Sequence, residues 1–440
     1  MPKPRFPRRA RRFSSGFAAA MATCLLILLS ACRSAAGSDE LRLDDLAQLV
    51  VEEEMRIGSR DDPDYGFSRV GAVDVDRDGV LYLFEAQDMQ VRAYDPSGRL
   101  IHRFGRRGGG PGEFEGFVRM GLVGDTVWTY DGQPRRITLF SRDGTLLSTG
   151  TAQPVSIPFP GGRIGSVLPV SMRPDGLFIS DLMRISYGGE DPPGVKLSES
   201  TPVPRVVFDV TGVVVDTVGW DASPPPRMVP PPDFQGRFEV AQLGTTRFTV
   251  PQPSTGLADW HPLHDGRIIF EQPVPTQPEA SLIVTRLELD GDTVYSRVIH
   301  YDASPFTSEV LDSLAAQSAR YPGGMNVIRN GLAPSEQPFA DPLAVRAIRE
   351  KMNFPEYRTP IQYSWLGNDD GMWLRRDQDG AESRWVLLAA DGLPRGELSL
   401  HSNARVVWAS GDTFWAVVPD ELDVPWLVRY RIRADDSRGA

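Results

Sequence analysis

The chain has 440 residues, 58 of them acidic and 47 basic, for a net charge of −11 at neutral pH. That excess of acid repels phosphate backbones, so nucleic acid is excluded as a partner, and two cysteines cannot build a disulfide framework or a Cys-based metal site. Glycine and proline together, 42 and 38 residues, stand above the usual ~12% without a short period, which points to a turn-rich globular fold and not a fibrous one.

At the start, Arg5, Arg8, Arg9, Arg11 and Arg12 precede an apolar segment from Phe17 to Leu29. This is the pattern of a secretory signal, too short to span a bilayer as a mature helix. It ends in Leu29-Ser30-Ala31-Cys32, which resembles the lipobox of bacterial lipoproteins. The resemblance implies removal of residues 1–31 and diacylglycerol on the Cys32 thiol. Arg33 stands where an aspartate would signal inner-membrane retention, so the same resemblance implies the outer membrane. Cleavage takes away six basic residues and no acidic one, moving the net charge to −17. Membrane attachment would then come through the acyl chains alone. Residues 32–46 read as a tether, and 434–440 as a disordered tail.

From residue 47 to 433 a hairpin recurs. Leu49 to Ile57 is a lone strand-like run, followed by Val70 to Val75, the turn Asp76 to Gly79, and three further short runs ending at Phe104. The inner turn repeats as Gly124-Asp125, Asp175-Gly176, Asp265-Gly266, Asp370-Gly371 and Gly411-Asp412, each before an apolar run. Six units of about four strands cannot each bury two faces alone, so they must stack. The last unit ends one strand short, and Leu49 to Ile57 supplies the missing strand. The expectation is an all-β fold, a six-bladed β-propeller closed by its N-terminal strand. A proline-rich irregular insertion falls between units three and four, with Phe238 to Leu243 and Phe248 to Val250 as extra strands. A helical insertion over 303–355 falls between units four and five, with Thr307 and Asp341-Pro342 opening two helices. These helices either cap one face of the ring or pack on a blade's flank.

Phe104-Gly105 and Gly108-Gly109-Gly110-Pro111-Gly112-Glu113-Phe114 resemble the blade-joining motif of NHL-repeat propellers, and Asp78 to Tyr82 with Val91 to Tyr94 are similar to the same repeat. The helical insertion and Asn353 to Tyr357 resemble uncharacterised exported bacterial six-bladed propellers. The resemblance implies fold and compartment. Members of such families bind proteins or RNA, and a few are enzymes, so it implies no single function.

Candidate sites follow from the repeat. Glu85, Asp131, Asp181 and Glu271 each stand three residues beyond an equivalent apolar position, and Arg376 holds the fifth such place. Radial stacking puts the five on one rim, where they could bind a cation, a sugar or a cationic peptide. The structural alternative pairs each acid across strands with Arg92, Arg136, Arg205 or Arg286. Asp74, Asp76, Asp78 and Glu85 match a calcium-loop spacing, but strands on both sides send alternate aspartates to opposite faces. Arg106 to Gly110 could form an anion nest, and His261, His264 and Asp265 a partial metal site lacking a clear third ligand. No nucleophile elbow appears, so no catalytic residue, metal or cofactor is assigned. The reading is a monomeric, lipid-anchored envelope module that binds an unknown envelope protein or small ligand. Its alternative is a propeller-type hydrolase or lyase with a metal at the channel mouth.

Overall fold

The computed structural model describes residues 41–116, 118–151, 166–183, 203–221, 240–243, 246–249, 256–319, 341–379 and 382–435. The signal segment, Cys32 and residues 436–440 lie outside this set. Strand β1 (Leu49–Ile57) comes first, then β2 (Val70–Val75), β3 (Leu81–Glu85), β4 (Gln90–Tyr94) and β5 (Leu100–Phe104), which form blade one. Blade two is β6 (Val118–Val123), β7 (Thr126–Asp131), β8 (Arg136–Ser141) and β9 (Leu146–Thr151). Blade three is β10 (Ser166–Met172), β11 (Phe178–Met183), β12 (Val203–Phe208) and β13 (Val214–Asp221). A separate hairpin, β14 (Val240–Leu243) and β15 (Thr246–Thr249), precedes blade four, made of β16 (Gly256–Pro262), β17 (Gly266–Pro273), β18 (Glu279–Glu288) and β19 (Thr293–Asp302). Blade five is β20 (Ile361–Leu366), β21 (Met372–Asp379), β22 (Glu382–Leu388) and β23 (Pro394–His401). Blade six joins β24 (Arg405–Ser410), β25 (Thr413–Pro419) and β26 (Pro425–Ala434) to β1, in the order β1-β26-β25-β24.

The chain is thus a six-bladed β-propeller closed by its first strand, as the repeat predicts. β1 pairs antiparallel with β26 from Leu49 opposite Ala434 to Ile57 opposite Leu427. Middle strands such as β3 and β7 are buried on both faces, nearly residue by residue, because neighbouring blades cover both sides of the sheet. Tyr82, Phe84 and Phe104 of blade one meet Phe114, Met120 and Phe140 of blade two. Trp373 and Trp385 of blade five meet Phe414 of blade six. Trp128, Trp373, Trp385, Trp408 and Trp415 are core residues, while Trp260, Trp365 and Trp426 are half-buried; each fully buried aromatic contributes about 1.5–3 kcal/mol.

Each blade is a meander, so its connections divide between two ends. The first and third turns fall at one end, called lower here, while the second turn and the crossing to the next blade fall at the upper end. Both insertions leave from the upper end, between β13 and β16 and between β19 and β20. Helices Ser308–Ala319 and Pro342–Arg349 pack on each other through Ala315, Ala319, Ala344 and Ile348, and also pack against the β14–β15 hairpin. Thr307 and Asp341 cap them, Asp341 Oδ1 accepting the Leu343 N–H at 2.9 Å. The two irregular insertions therefore build one small cluster.

The packed part begins before residue 47. Leu43 is 1% exposed and sits in the core between blades four and five. Its N–H donates to His300 of β19, and Glu397 of β23 donates to Ala47. Residues 41–48 thus run across the outer strands of blades four and five before entering β1, and are not loose tether.

Candidate functional site

Register settles where the rim residues stand. Glu85 lies opposite Val70, Asp131 opposite Val118, Asp181 opposite Leu168, Glu271 opposite Ala258, and Arg376 opposite Ile361. All five occupy one level at the upper end, each on the second strand of its blade. The sixth equivalent is Val417, opposite Arg405.

Their side chains do different things. Glu85 and Asp131 are each 1% exposed. Glu85 Oε1 accepts the backbone N–H of Arg69 at 2.9 Å and of Gln87 at 3.2 Å. Asp131 accepts those of Glu115 at 2.6 Å and Gln133 at 3.2 Å. The two are equivalent devices: a carboxylate at the end of a second strand ties down the segment entering its own inner strand. Arg376 reaches Glu397 at 3.0 Å and Asp44 at 3.2 Å, holding the N-terminal segment against blade five. Glu271 is exposed.

Cross-strand acid–arginine pairing holds for Asp131 and Arg136, 3.8 Å apart. It does not hold for Glu85, because Arg92 stands opposite Leu83 and pairs with Asp88. Nor does it hold for Glu271, because Arg286 reaches Asp265 and Asp370 at the lower turns of blades four and five. Asp181 is directly opposite Arg205 in register.

The other motifs resolve in the same way. Asp74 and Glu85 sit at opposite ends of blade one, while Asp76 and Asp78 both meet Arg142, so the calcium-like spacing does not converge. In the glycine-rich joint, Glu113 accepts the Gly110 N–H at 2.7 Å and binds Arg106 at 2.7 Å, so the nest is filled by the chain's own anion. His264 is exposed, and His261 Nε2 meets Ser364 Oγ at 2.8 Å. Ser364, on β20, in turn donates to Asp259 of β16 at 2.9 Å, a polar tie between the inner strands of blades four and five. Among the described residues, no three His, Cys, Asp or Glu side chains gather as metal ligands.

Two residues stand out that the motifs did not single out for these roles. Asp74, on β2, is 8% exposed at the ring's centre. Its carboxylate accepts the Leu122 N–H of blade two at 2.8 Å, the Asn368 amide beyond β20 at 2.8 Å and the Trp408 indole of blade six at 3.1 Å. Burial pushes its carboxyl up to about 6 against these hydrogen bonds. Arg405, first residue of β24, is exposed at the upper mouth, and its Nη2 donates to the Val70 carbonyl at 2.7 Å. Partial enclosure lowers its pKa. The signal for Arg405 was positional, a charge where the other five inner strands carry apolar residues; the place of Asp74 is held elsewhere by Gly121, Met172, His261, Trp365 and Ala409 and is less uniform.

No family model matches the chain, and no curated protein sequence matches it. Solved structures do resemble it. A Bacteroides fragilis protein is 12% identical over 91% of this chain and 98% of its own, with a TM-score of 0.44. A DUF4221 member from Bacteroides vulgatus is 10% identical over 89% and 100%, with a TM-score of 0.43. Virginiamycin B lyase of Staphylococcus aureus is 10% identical over 87% and 99%, with a TM-score of 0.34. Likeness this distant brings neither family nor activity to this chain, whose class rests on its own six sheets and their register.

Proposed function

We propose that the protein is exported, held in the cell envelope by lipid on Cys32, and acts as a non-catalytic binding module whose upper face takes an envelope protein or a small ligand. The observation that carries this is where the chain is long. Both insertions depart from the upper end, whereas the inner hairpins at the lower end are tight turns. Loops gathered on one end of a rigid scaffold are where recognition usually resides. Export and anchoring are supported by the basic and apolar N-terminal segment ending at Cys32, and the outer membrane by Arg33. A serine-based enzymatic reading, distinct from the metal-dependent alternative, would draw on Asp259, Ser364 and His261. There the serine hydroxyl donates to the aspartate, so the imidazole must donate to the serine, the reverse of an activated nucleophile.

Hydrogen exchange of the full chain, with and without envelope extract, tests the reading. Slowed exchange is expected at upper-end amides near Val70, Arg119 and Gln362, with none at Asp125 and Asp412 in the lower turns. Protection at the lower turns, or nowhere, would reject it.

A further inference from the structure

The upper mouth carries a charge pattern unlike the rest of this acidic chain. Arg405 opens the inner strand of blade six, Arg69 immediately precedes that of blade one, and Arg119 is the second residue of that of blade two. Three consecutive inner strands thus enter the ring with an arginine. At the register level of Arg405 the other five inner strands carry Val70, Val118, Leu168, Ala258 and Ile361, so Arg405 is the one inner-strand charge there; Arg69 and Arg119 stand one residue before and after that level, and Asp259 of blade four holds the register place of Arg119.

Most described arginines are neutralised by a carboxylate, as Arg42, Arg142 and Arg286 are. Arg405 and Arg69 form no ion pair among the described residues. Arg405 uses one N–H on the Val70 carbonyl, which also brings its guanidinium beside the residue that follows Arg69. The acids nearest in register, Glu85 and Asp131, are buried; Glu85 Oε1 and both Asp131 oxygens accept backbone N–H groups, while Glu85 Oε2 has no hydrogen-bond partner among the described residues. A carbonyl neighbour leaves a guanidinium's charge in place, and its remaining N–H groups match the fork geometry of an oxyanion.

We propose that the channel mouth at blades six and one binds a small organic oxyanion, a carboxylate or phosphate group gripped by Arg405 and Arg69. This rests on reading the upper face as the binding face and adds the chemistry it recognises. A site formed by strand starts is rigid, so the arginines are held in place before the ligand arrives, which lowers the ordering cost of binding.

The test is calorimetric titration of the full chain with citrate and, separately, with inorganic phosphate, at physiological ionic strength. Saturable binding of one or both is expected; which of the two binds more tightly distinguishes a carboxylate site from a phosphate site. Arg405→Gln and Arg69→Gln are each expected to weaken binding about tenfold or more. Arg69 is exposed, so Arg69→Gln should fold with an unchanged melting profile; Arg405→Gln gives up the bond to Val70, because its amide ends two bonds short of Nη2, and should keep the fold with a slightly lower melting temperature. Arg77→Gln, at the lower end beside Asp125, should bind as wild type. No saturable binding, or equal weakening by Arg77→Gln, overturns the proposal. Upper-face protection by envelope extract with no anion binding would remove this inference and leave the binding-module reading standing; anion binding without such protection would keep this inference and the small-ligand reading and remove the envelope protein as the partner.

Discussion

Asp74 shows how one side chain can hold several blades. Besides the N–H of Val75, its carboxylate accepts from groups 48, 294 and 334 residues away, and every partner is a donor. Asparagine has the same shape but would turn an amide N–H toward one of those donors. Asp74→Asn is expected to cost about 2 kcal/mol at neutral pH, within the range for stranding buried donors. The pH dependence has a definite sign. The folded carboxyl titrates near 6, above its ordinary value of 3.8, so the stability it contributes is full below about pH 4 and lost as pH rises through 6. Only the wild type takes up that proton, so urea unfolding should show the gap between the two proteins widening from pH 7.5 to pH 5. A gap that narrows would mean the carboxyl titrates below its unfolded value. The sequence displayed Asp74 only as the first member of a calcium-like spacing. Its role depends on Leu122, Asn368 and Trp408, which no local pattern ties to it. Glu85 and Asp131, by contrast, could be placed on a common level because their distance from an apolar anchor repeats along the chain.

At the scale of the hairpin, one device recurs. The third turn of blades one to five ends in a glycine with positive φ, namely Gly98, Gly144, Gly212, Gly291 and Gly392, and pairing shifts by one residue just beyond it. This is the bulge that aligns a short turn with the right-handed twist of its strands. Glycine is required twice over at Gly392, where an added Cβ would lie 2.5 Å from the Tyr295 ring of the preceding blade. At Gly291 the same atom would meet open space. Gly291→Ala should therefore cost about 1 kcal/mol from backbone strain alone, and Gly392→Ala distinctly more. Thermal melts that rank the two equally would show that contact with Tyr295 does not matter. Because turn chemistry is local, the units could be counted from the sequence, as could the helix caps at Thr307 and Asp341. The packing of the two helices on the β14–β15 hairpin, and the run of residues 41–48 across blades four and five, depend on partners far along the chain and had no such signal.

For the whole ring, the decisive joint is β1 against β26. Ile57 is buried between blades six and one, so the joint has an apolar part. Its charges are arranged as well: Glu52 meets Arg433 at 2.7 Å, and Glu54 meets Arg429 at 3.1 Å and also Arg431. Exposed pairs of this kind contribute roughly 0–1 kcal/mol each, too little to hold a ring shut. Their effect is on register, because a strand rich in glutamate laid beside alternating arginines pairs well in few alignments, and a one-residue slip would turn Ile57 out of the core. Glu54→Arg should accordingly place like charges together, lower the melting temperature and leave the β26 edge intermittently open. Size-exclusion chromatography should then show larger species than the wild type gives. Adding Arg431→Glu should restore most of the wild-type profile by re-forming one pair, an outcome that mere surface destabilisation would not give. If the single variant elutes as the wild type does with an unchanged melt, the apolar contacts of β1 close the propeller by themselves and the charge pattern has no part in its alignment.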